Sequence, residues 1–310
     1  MCGIVAAIAA NNIVPVLIEG LKKLEYRGYD SAGVAVLNPG LTRLRSVGRV
    51  AELAVLAEGL AAKQGIAHTR WATHGVPSER NAHPHVSGAL AVVHNGIIEN
   101  YAEIKQELAG KGYQFTSDTD TEVVAHLIQE TLQTVPDLFE AVRVALNRLT
   151  GAYAIAVLKE GEERIIATRH GAPLLLGLGT DGNYAASDAS ALLQVTRTMV
   201  YLEDGDIAEM RGDGVRVVRP DGSAVQRPSH ESTLSADAVE LGQFRHDLPR
   251  RRSGRGHAAL PTHRPGPGRA TRPRHWRRCA LRQGPARRPR DCAPGRATPR
   301  CGRTAFARGR

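Results

Sequence analysis

No run of apolar residues in this 310-residue chain approaches the ~18 that a membrane-crossing helix requires, so a protein that spans the bilayer with helices is excluded. Cysteine is scarce. The four copies, at 2, 279, 292 and 301, are too few and too scattered for a disulfide framework. Aromatic residues are few as well (2 Trp, 7 Tyr, 4 Phe). Even so, 42% of the chain is hydrophobic, ample for one large core or two small ones at ~150 residues per domain. The first nine residues are apolar but carry no basic segment and run straight into Asn11-Asn12. A secretory signal is therefore not expected, and the cytoplasm is the expected compartment.

The net charge of +10 misrepresents the body of the protein. Residues 247–310 contain 19 Arg, no Lys and only two acids, Asp247 and Asp291, whereas the first 246 residues carry 22 basic and 29 acidic side chains. The body is mildly acidic, and the basicity belongs to the end. In that end Arg, Pro, Gly and Ala account for 45 of 64 residues, while Lys, Glu, Ile, Val, Met, Tyr and Asn are absent. With three Leu, one Phe and one Trp, it cannot bury enough apolar surface to offset the entropy of ordering, so disorder is expected. Arg, Pro, Gly and Ala are also the residues of GC-rich codon boxes, the mixture produced by a GC-rich gene read in the wrong frame. A frame-shifted end and a genuine Arg-rich arm that would adhere to nucleic-acid phosphates both remain open. A zinc module is disfavoured, because Cys279, Cys292 and Cys301 form no close pairs.

The body alternates β-prone runs with amphipathic stretches. Residues 2–9 read as a strand. Pro15 suits a first helical turn, and Val16, Leu17, Leu21 and Leu24 share one face, which predicts a helix over 14–24. Residues 26–30 form a turn before strands at 33–37 and 41–47. A helix over 50–62 leads to a strand at 65–69, a polar connection over 70–88 and a strand at 90–94. Helices follow over 101–111, 121–132 and 138–149, the second with an Asp/Thr/Glu-rich entry suited to capping. Short strands recur at 152–158, 164–168, 184–187, 206–210 and 215–218. Strands at both ends with helices clustered between them suggest stacked sheets under helical outer layers.

Cys2 is the sharpest chemical feature. Removal of the initiator Met leaves it with a free α-amine, and a thiol of pKa ~8.5 needs a base to act as a nucleophile. The α-amine, pKa ~7.7–8, can take that proton directly or through one water, so one residue supplies both groups. Five of the twelve histidines (68, 74, 83, 85, 94) gather between 68 and 94. They lack a metal-ligand spacing, and no metal or other cofactor is expected. His68 and His85 read as turn-stabilising donors. Asn95-Gly96 after a strand is first a turn signal, yet it can also aim a side-chain amide and a backbone N–H at one point, as an oxyanion hole requires. Ser117-Asp-Thr-Asp-Thr-Glu122 reads as helix capping, and a calcium loop is disfavoured because no Gly follows.

Taken together, Cys2-Gly-Ile-Val, Tyr26-Arg-Gly-Tyr-Asp-Ser-Ala-Gly33, His68-Thr-Arg-Trp-Ala-Thr-His-Gly75, Asn81-Ala-His-Pro-His85, His94-Asn-Gly-Ile-Ile-Glu-Asn100 and Ser117-Asp-Thr-Asp-Thr-Glu-Val123 stand in one order and spacing. The sequence from Cys2 to about His246 resembles the glutaminase domain of the glucosamine-6-phosphate synthase family, the isomerising glutamine–fructose-6-phosphate aminotransferases, within the class-II glutamine amidotransferases. Ala6 and Val76 depart from the usual Gly and Glu of that family. The resemblance implies an α+β N-terminal-nucleophile hydrolase fold, a four-layer αββα sandwich. It assigns Cys2 as nucleophile on the glutamine amide, with Asn95 and Gly96 as oxyanion donors. Arg70 would bind the substrate α-carboxylate and Asp120 the α-ammonium. Thr73 and His74 would frame the pocket, Trp71 would lie on the loop that closes it, Arg27 would fix the nucleophile's amine, and His83 would support the site.

On this reading residues 2–240 form the amidotransferase domain, and 241–310 are a truncated linker with a disordered, frame-shifted tail. The family pattern stops at Leu241-Gly-Gln-Phe-Arg-His246, and the sugar-isomerase domains are absent. L-glutamine is the expected substrate, with fructose 6-phosphate an acceptor only if isomerase domains are supplied elsewhere. Family members homo-oligomerise mainly through that missing half. The competing function is a non-catalytic binder, inactive as a fragment, whose Arg-rich tail contacts nucleic acid.

Overall fold

In the computed structural model, residues 2–71 and 75–234 are described. Two units are distinguished, Met1–Leu248 and Pro249–Arg310, and every described residue belongs to the first. The Arg-rich tail, with its expected disorder, and the predicted site residues Thr73 and His74 lie outside the described residues.

Strands β1 (Gly3–Ala9), β2 (Ser31–Asn38), β3 (Gly40–Val47), β4 (Gln64–Arg70), β5 (His85–Ser87), β6 (Leu90–Ile98) and β7 (Gly151–Lys159) interleave with helices α1 (Val14–Leu24), α2 (Val50–Leu56), α3 (Tyr101–Gly110), α4 (Thr121–Thr131) and α5 (Leu138–Leu146). Strands β8 (Ile165–His170), β9 (Leu175–Leu178), β10 (Gly182–Ala186), β11 (Thr198–Tyr201), β12 (Ile207–Met210), β13 (Val215–Val218) and β14 (Ser229–Glu231) follow. They form an eight-stranded sheet, β14-β11-β9-β10-β1-β4-β2-β3, and a six-stranded sheet, β13-β12-β8-β7-β6-β5. The strand pairs in both are antiparallel.

The layering follows from the two-residue period of a strand. In β1, Val5, Ala7 and Ala9 pack with Leu17, Leu21 and Leu24 of α1. The intervening Ile4, Ala6 and Ile8 face the other sheet, meeting Ala91 and Val93 of β6 and Ala154 and Ala156 of β7. The far side of β7, through Ile155 and Val157, packs on Val123 and Leu127 of α4 and Val142 of α5. Three apolar layers between four layers of backbone make the αββα sandwich that the sequence led us to expect. Because both faces of the inner strands are covered, these strands read as continuous apolar runs, and β1 is buried at every position. Each such Ile or Val stabilises the fold by about 1.5–3 kcal/mol relative to exposure. Alanine is abundant in the seam between the sheets (Ala6, Ala35, Ala91, Ala154, Ala156, Ala167, Ala185, Ala208), which lets the two backbones approach closely.

Helix 14–24 matches its predicted span, but three expectations need correction. The helix predicted over 50–62 closes at Leu56. The backbone of Ala62 is committed elsewhere: its N–H donates to Asn12 Oδ1 at 3.0 Å, and its carbonyl accepts from Ile13 N at 2.8 Å. Asn95-Gly96 is not a turn, because β6 runs through it to Ile98, paired with Ala154 and Tyr153 of β7. His68 and His85 are not turn donors either. They lie on β4 and β5, with side chains buried between layers.

Candidate active site

One end of the sandwich gathers the predicted residues. Cys2 stands immediately before β1, whose Gly3 pairs with Thr69, so the thiol lies beside the end of β4, where Arg70 and Trp71 emerge. The second sheet contributes Asn95 and Gly96 from β6, and α4 contributes Asp120 at its head. Cys2, Arg70, Trp71, His83, Gly96 and Asp120 line one small pocket together with His94, Thr119 and Thr121. Thr119 and Thr121 did not stand out in the sequence. The only signal available was their alternation with Asp118 and Asp120 in a segment that read as capping.

The Trp71 N–H donates to Cys2 Sγ at 3.3 Å, and the thiol lies 3.6 Å from the Trp71 carbonyl. Burial pushes the Cys2 thiol up, opposed by the Trp71 N–H and by the positive charges of the N-terminus and Arg70. Asn95 Nδ2 donates to the Cys2 carbonyl at 3.3 Å, while Asn95 Oδ1 faces His68 Nε2 at 3.0 Å. Gly96 has φ +128°, and a Cβ there would stand 2.0 Å from the Ala152 carbonyl oxygen, so only glycine fits where β7 crosses.

Arg70 is buried. Its Nη2 donates to the Gly75 carbonyl at 2.9 Å, and Nη1 lies 3.5 Å from Asp30 Oδ1. Asp120 occupies the position before α4 but does not cap it. Its Oδ2 accepts from Ile98 N at 2.8 Å, which ties the head of the helix to the end of β6. The capping expected of this segment is not seen; instead the Glu122 carboxylate accepts from Thr116 N at 2.9 Å and Ser117 N at 2.7 Å, folding the stretch before α4 back onto its first turn.

Trp71 is half exposed, and its ring covers Gly28. A Cβ on Gly28, which has φ +82°, would stand 2.3 Å from that ring. Arg27 bonds Asp188 Oδ2 and the Tyr26 hydroxyl, which fastens the 25–28 turn to the segment after β10. His83 is buried and stacks on His68 with ring centroids 4.1 Å apart; His85 meets His83 edge-on at 4.9 Å. Burial lowers these imidazoles, His68 and His85 to about 3 and His83 well below its ordinary value, so all three are neutral near pH 7.

A family model described as a glutamine amidotransferase domain matches residues 68–194. The chain is 54% identical over 254 residues to the glutamine–fructose-6-phosphate aminotransferase [isomerizing] of Xylella fastidiosa, covering 81% of this chain and 42% of that protein. The enzyme of the same name from Pseudomonas putida is 55% identical over 252 residues, covering 79% and 41% respectively. Among solved structures, the glutamine phosphoribosylpyrophosphate amidotransferase from B. subtilis matches with a TM-score of 0.63 at 27% identity, over 72% of this chain and 50% of that one. Facing antiparallel sheets under helical layers, with a cysteine heading a central strand, define an N-terminal-nucleophile hydrolase of the glutamine amidotransferase class. Within that class, the first four-fifths of the chain are similar to the isomerising glutamine–fructose-6-phosphate aminotransferases, and the chain spans about two-fifths of the length of the curated relatives it matches.

Proposed function

We propose that residues 2–240 hydrolyse L-glutamine to glutamate and ammonia through a Cys2 thioester. The observation that carries this reading is the convergence, across two sheets, of Cys2, buried Arg70, Gly96 and Asp120 on one pocket, with the Asn95 amide bonded to the Cys2 carbonyl beside it.

The α-amine exposed when Met1 is removed takes the thiol proton, and Cys2 Sγ attacks the side-chain carbonyl carbon of glutamine. Asn95 Nδ2 and the Gly96 N–H receive the developing oxyanion. The proton passes to the amide nitrogen, the C–N bond breaks and ammonia leaves. Water then attacks the thioester, the C–S bond breaks, and glutamate departs with the thiol restored. Arg70 holds the α-carboxylate through its planar fork, and Asp120 holds the α-ammonium. Thr73, His74 and Trp71 frame and close the pocket, with Arg27 and His83 in support. The Trp71 N–H at Sγ favours the thiolate that burial disfavours.

The relatives are named for transfer to fructose 6-phosphate. For this chain such transfer is a further proposal, which requires isomerase domains in addition to the residues described, and their oligomeric assembly. The cytoplasm is the proposed compartment; among the described residues no helix is long and apolar enough to cross a membrane.

Glutamate release from L-glutamine, measured with and without fructose 6-phosphate beside a Cys2→Ala control, tests the reading. Release that depends on Cys2 and ignores the sugar is expected. Release that survives Cys2→Ala would overturn the mechanism.

A further inference from the structure

Asn95 presents chemically opposite ends of one planar amide to its two neighbours. Its nitrogen lies 3.3 Å from the Cys2 carbonyl and its oxygen 3.0 Å from His68 Nε2. A carboxamide rotated by 180° has nearly the same shape, so hydrogen-bond partners decide which end faces where. The rotated amide would set Oδ1 against the Cys2 carbonyl oxygen, two acceptors in contact. It would also point its N–H2 at His68. Only the observed orientation gives the Cys2 carbonyl a donor, and it requires His68 to carry its proton on Nε2.

We propose that His68 is a positioning residue for glutamine hydrolysis, donating from Nε2 to Asn95 Oδ1 across the two sheets and thereby holding the Asn95 N–H2 toward the nucleophile. The inference rests on the reading of Asn95 as an oxyanion donor. His68 itself neither lines the pocket nor hydrogen-bonds Cys2 Sγ; it stands behind His83, which does line it.

The ring is built to hold one orientation. It is fully buried on the seam side of β4, on the same face as Ile66, and it stacks against His83 with planes 27° apart. His83 is held in turn, because its Nδ1 faces the His94 N–H at 3.5 Å. The neighbouring ionisable groups are His83, His85 and His94, with Arg70 beyond them. Burial is what chiefly opposes a second proton on His68; the His94 and His85 rings add to it, and together these outweigh the hydrogen bonds to Asn95 and His94 that favour one. A neutral imidazole with a fixed tautomer donates at one nitrogen only, which is what a one-sided lock on an amide requires.

The test is a double-mutant cycle on glutaminase turnover in the full chain. His68→Leu removes the donor, and His68→Gln places an amide N–H near the position of Nε2. Expected are a 10- to 100-fold loss of kcat in His68→Leu with KM for glutamine within about threefold, recovery of most of that loss in His68→Gln, and no added loss when His68→Leu is combined with Asn95→Ala. Alkylation of Cys2 by iodoacetamide forms no oxyanion at a carbonyl, so its rate should match wild type in His68→Leu. An equal kcat loss in the Asn95→Ala background would overturn the proposal, as would failure of His68→Gln to outperform His68→Leu. If His68→Leu does not fold, His68→Asn, whose amide is too short to reach Asn95, takes its place against His68→Gln with the same expectations. Hydrolysis that persists in Cys2→Ala would instead defeat the functional reading, which distinguishes the two failures.

Discussion

His94 and Asn95 are neighbours on one strand and serve opposite layers of the sandwich. His94 Nδ1 meets the Thr121 hydroxyl of α4 at 2.9 Å, while Asn95 crosses the seam to His68 at 3.0 Å. This alternation fastens β6 on both sides at the point where it delivers the amide to the site. Removing the amide should therefore affect the reaction more than the fold. Asn95→Ala is expected to lower kcat for glutamine hydrolysis about 10²–10³-fold with little change in KM, as loss of one oxyanion donor does elsewhere. Steady-state kinetics with an unchanged kcat would remove Asn95 from that role.

Gly96→Ala combines a left-handed backbone with a Cβ 2.0 Å from the Ala152 carbonyl. At a strain of about 2 kcal/mol or more, melting should fall by roughly 4–8 °C in a domain of this size. Activity should fall with it, because relief of the clash moves the strand that carries Asn95. Differential scanning calorimetry reads the first effect and glutamate release the second.

Arg70→Lys keeps the charge and loses the fork. One ammonium cannot reproduce the separate contacts of Nη1 and Nη2 toward Asp30 and Gly75 while also pairing two carboxylate oxygens. The expected result is a KM for glutamine raised about 10- to 100-fold, the loss of one charge-assisted hydrogen bond, with kcat within a few-fold. A drop confined to kcat would argue against carboxylate binding by this residue.

Acid should unfold the protein through its histidines before its carboxylates. His68 and His85 are lowered to about 3 by burial, and His83 is lowered in the same direction, so between pH 6.5 and 3 the folded state binds fewer protons than the unfolded chain. Their contribution is complete above about pH 6.5 and is lost as pH falls, by about 2 kcal/mol at pH 5 for each of His68 and His85. Unfolding free energies measured from pH 7.5 to 5 should decline steeply, with uptake of several protons on unfolding. A flat profile over that range would show that these imidazoles are not buried.

Much of this structure was legible in the residues. Helix 14–24 announced itself through Pro15 and its apolar face, and continuous apolar runs such as 2–9 and 152–158 located the inner strands. The short strands β5, β9, β11 and β14 escaped notice, because three or four residues show almost no period; β12 and β13 are as short but were legible as apolar runs between Gly- and Asp-containing turns. Asn95-Gly96 misled for a related reason. Locally it is a turn dipeptide, and only β7 passing within 2.0 Å of a would-be Cβ explains a glycine in mid-strand. Cys2, Arg70 and Asp120 were legible as a motif set. The bond from His68 to Asn95 was not, since nothing in a strand-borne histidine reveals which residue of another sheet it will face.

The alanines between the sheets have a consequence for how this fold can vary. They act as a spacer gauge: interleaved with the larger Ile4, Ile66 and Val93, their methyl groups keep the two sheets close, and the reach from His68 to Asn95 and from Asn95 to Cys2 depends on the same spacing. A larger side chain anywhere along the seam, at Ala154 or Ala156 for example, would work as a wedge and open the catalytic end like a hinge, silencing the site without altering any residue in it.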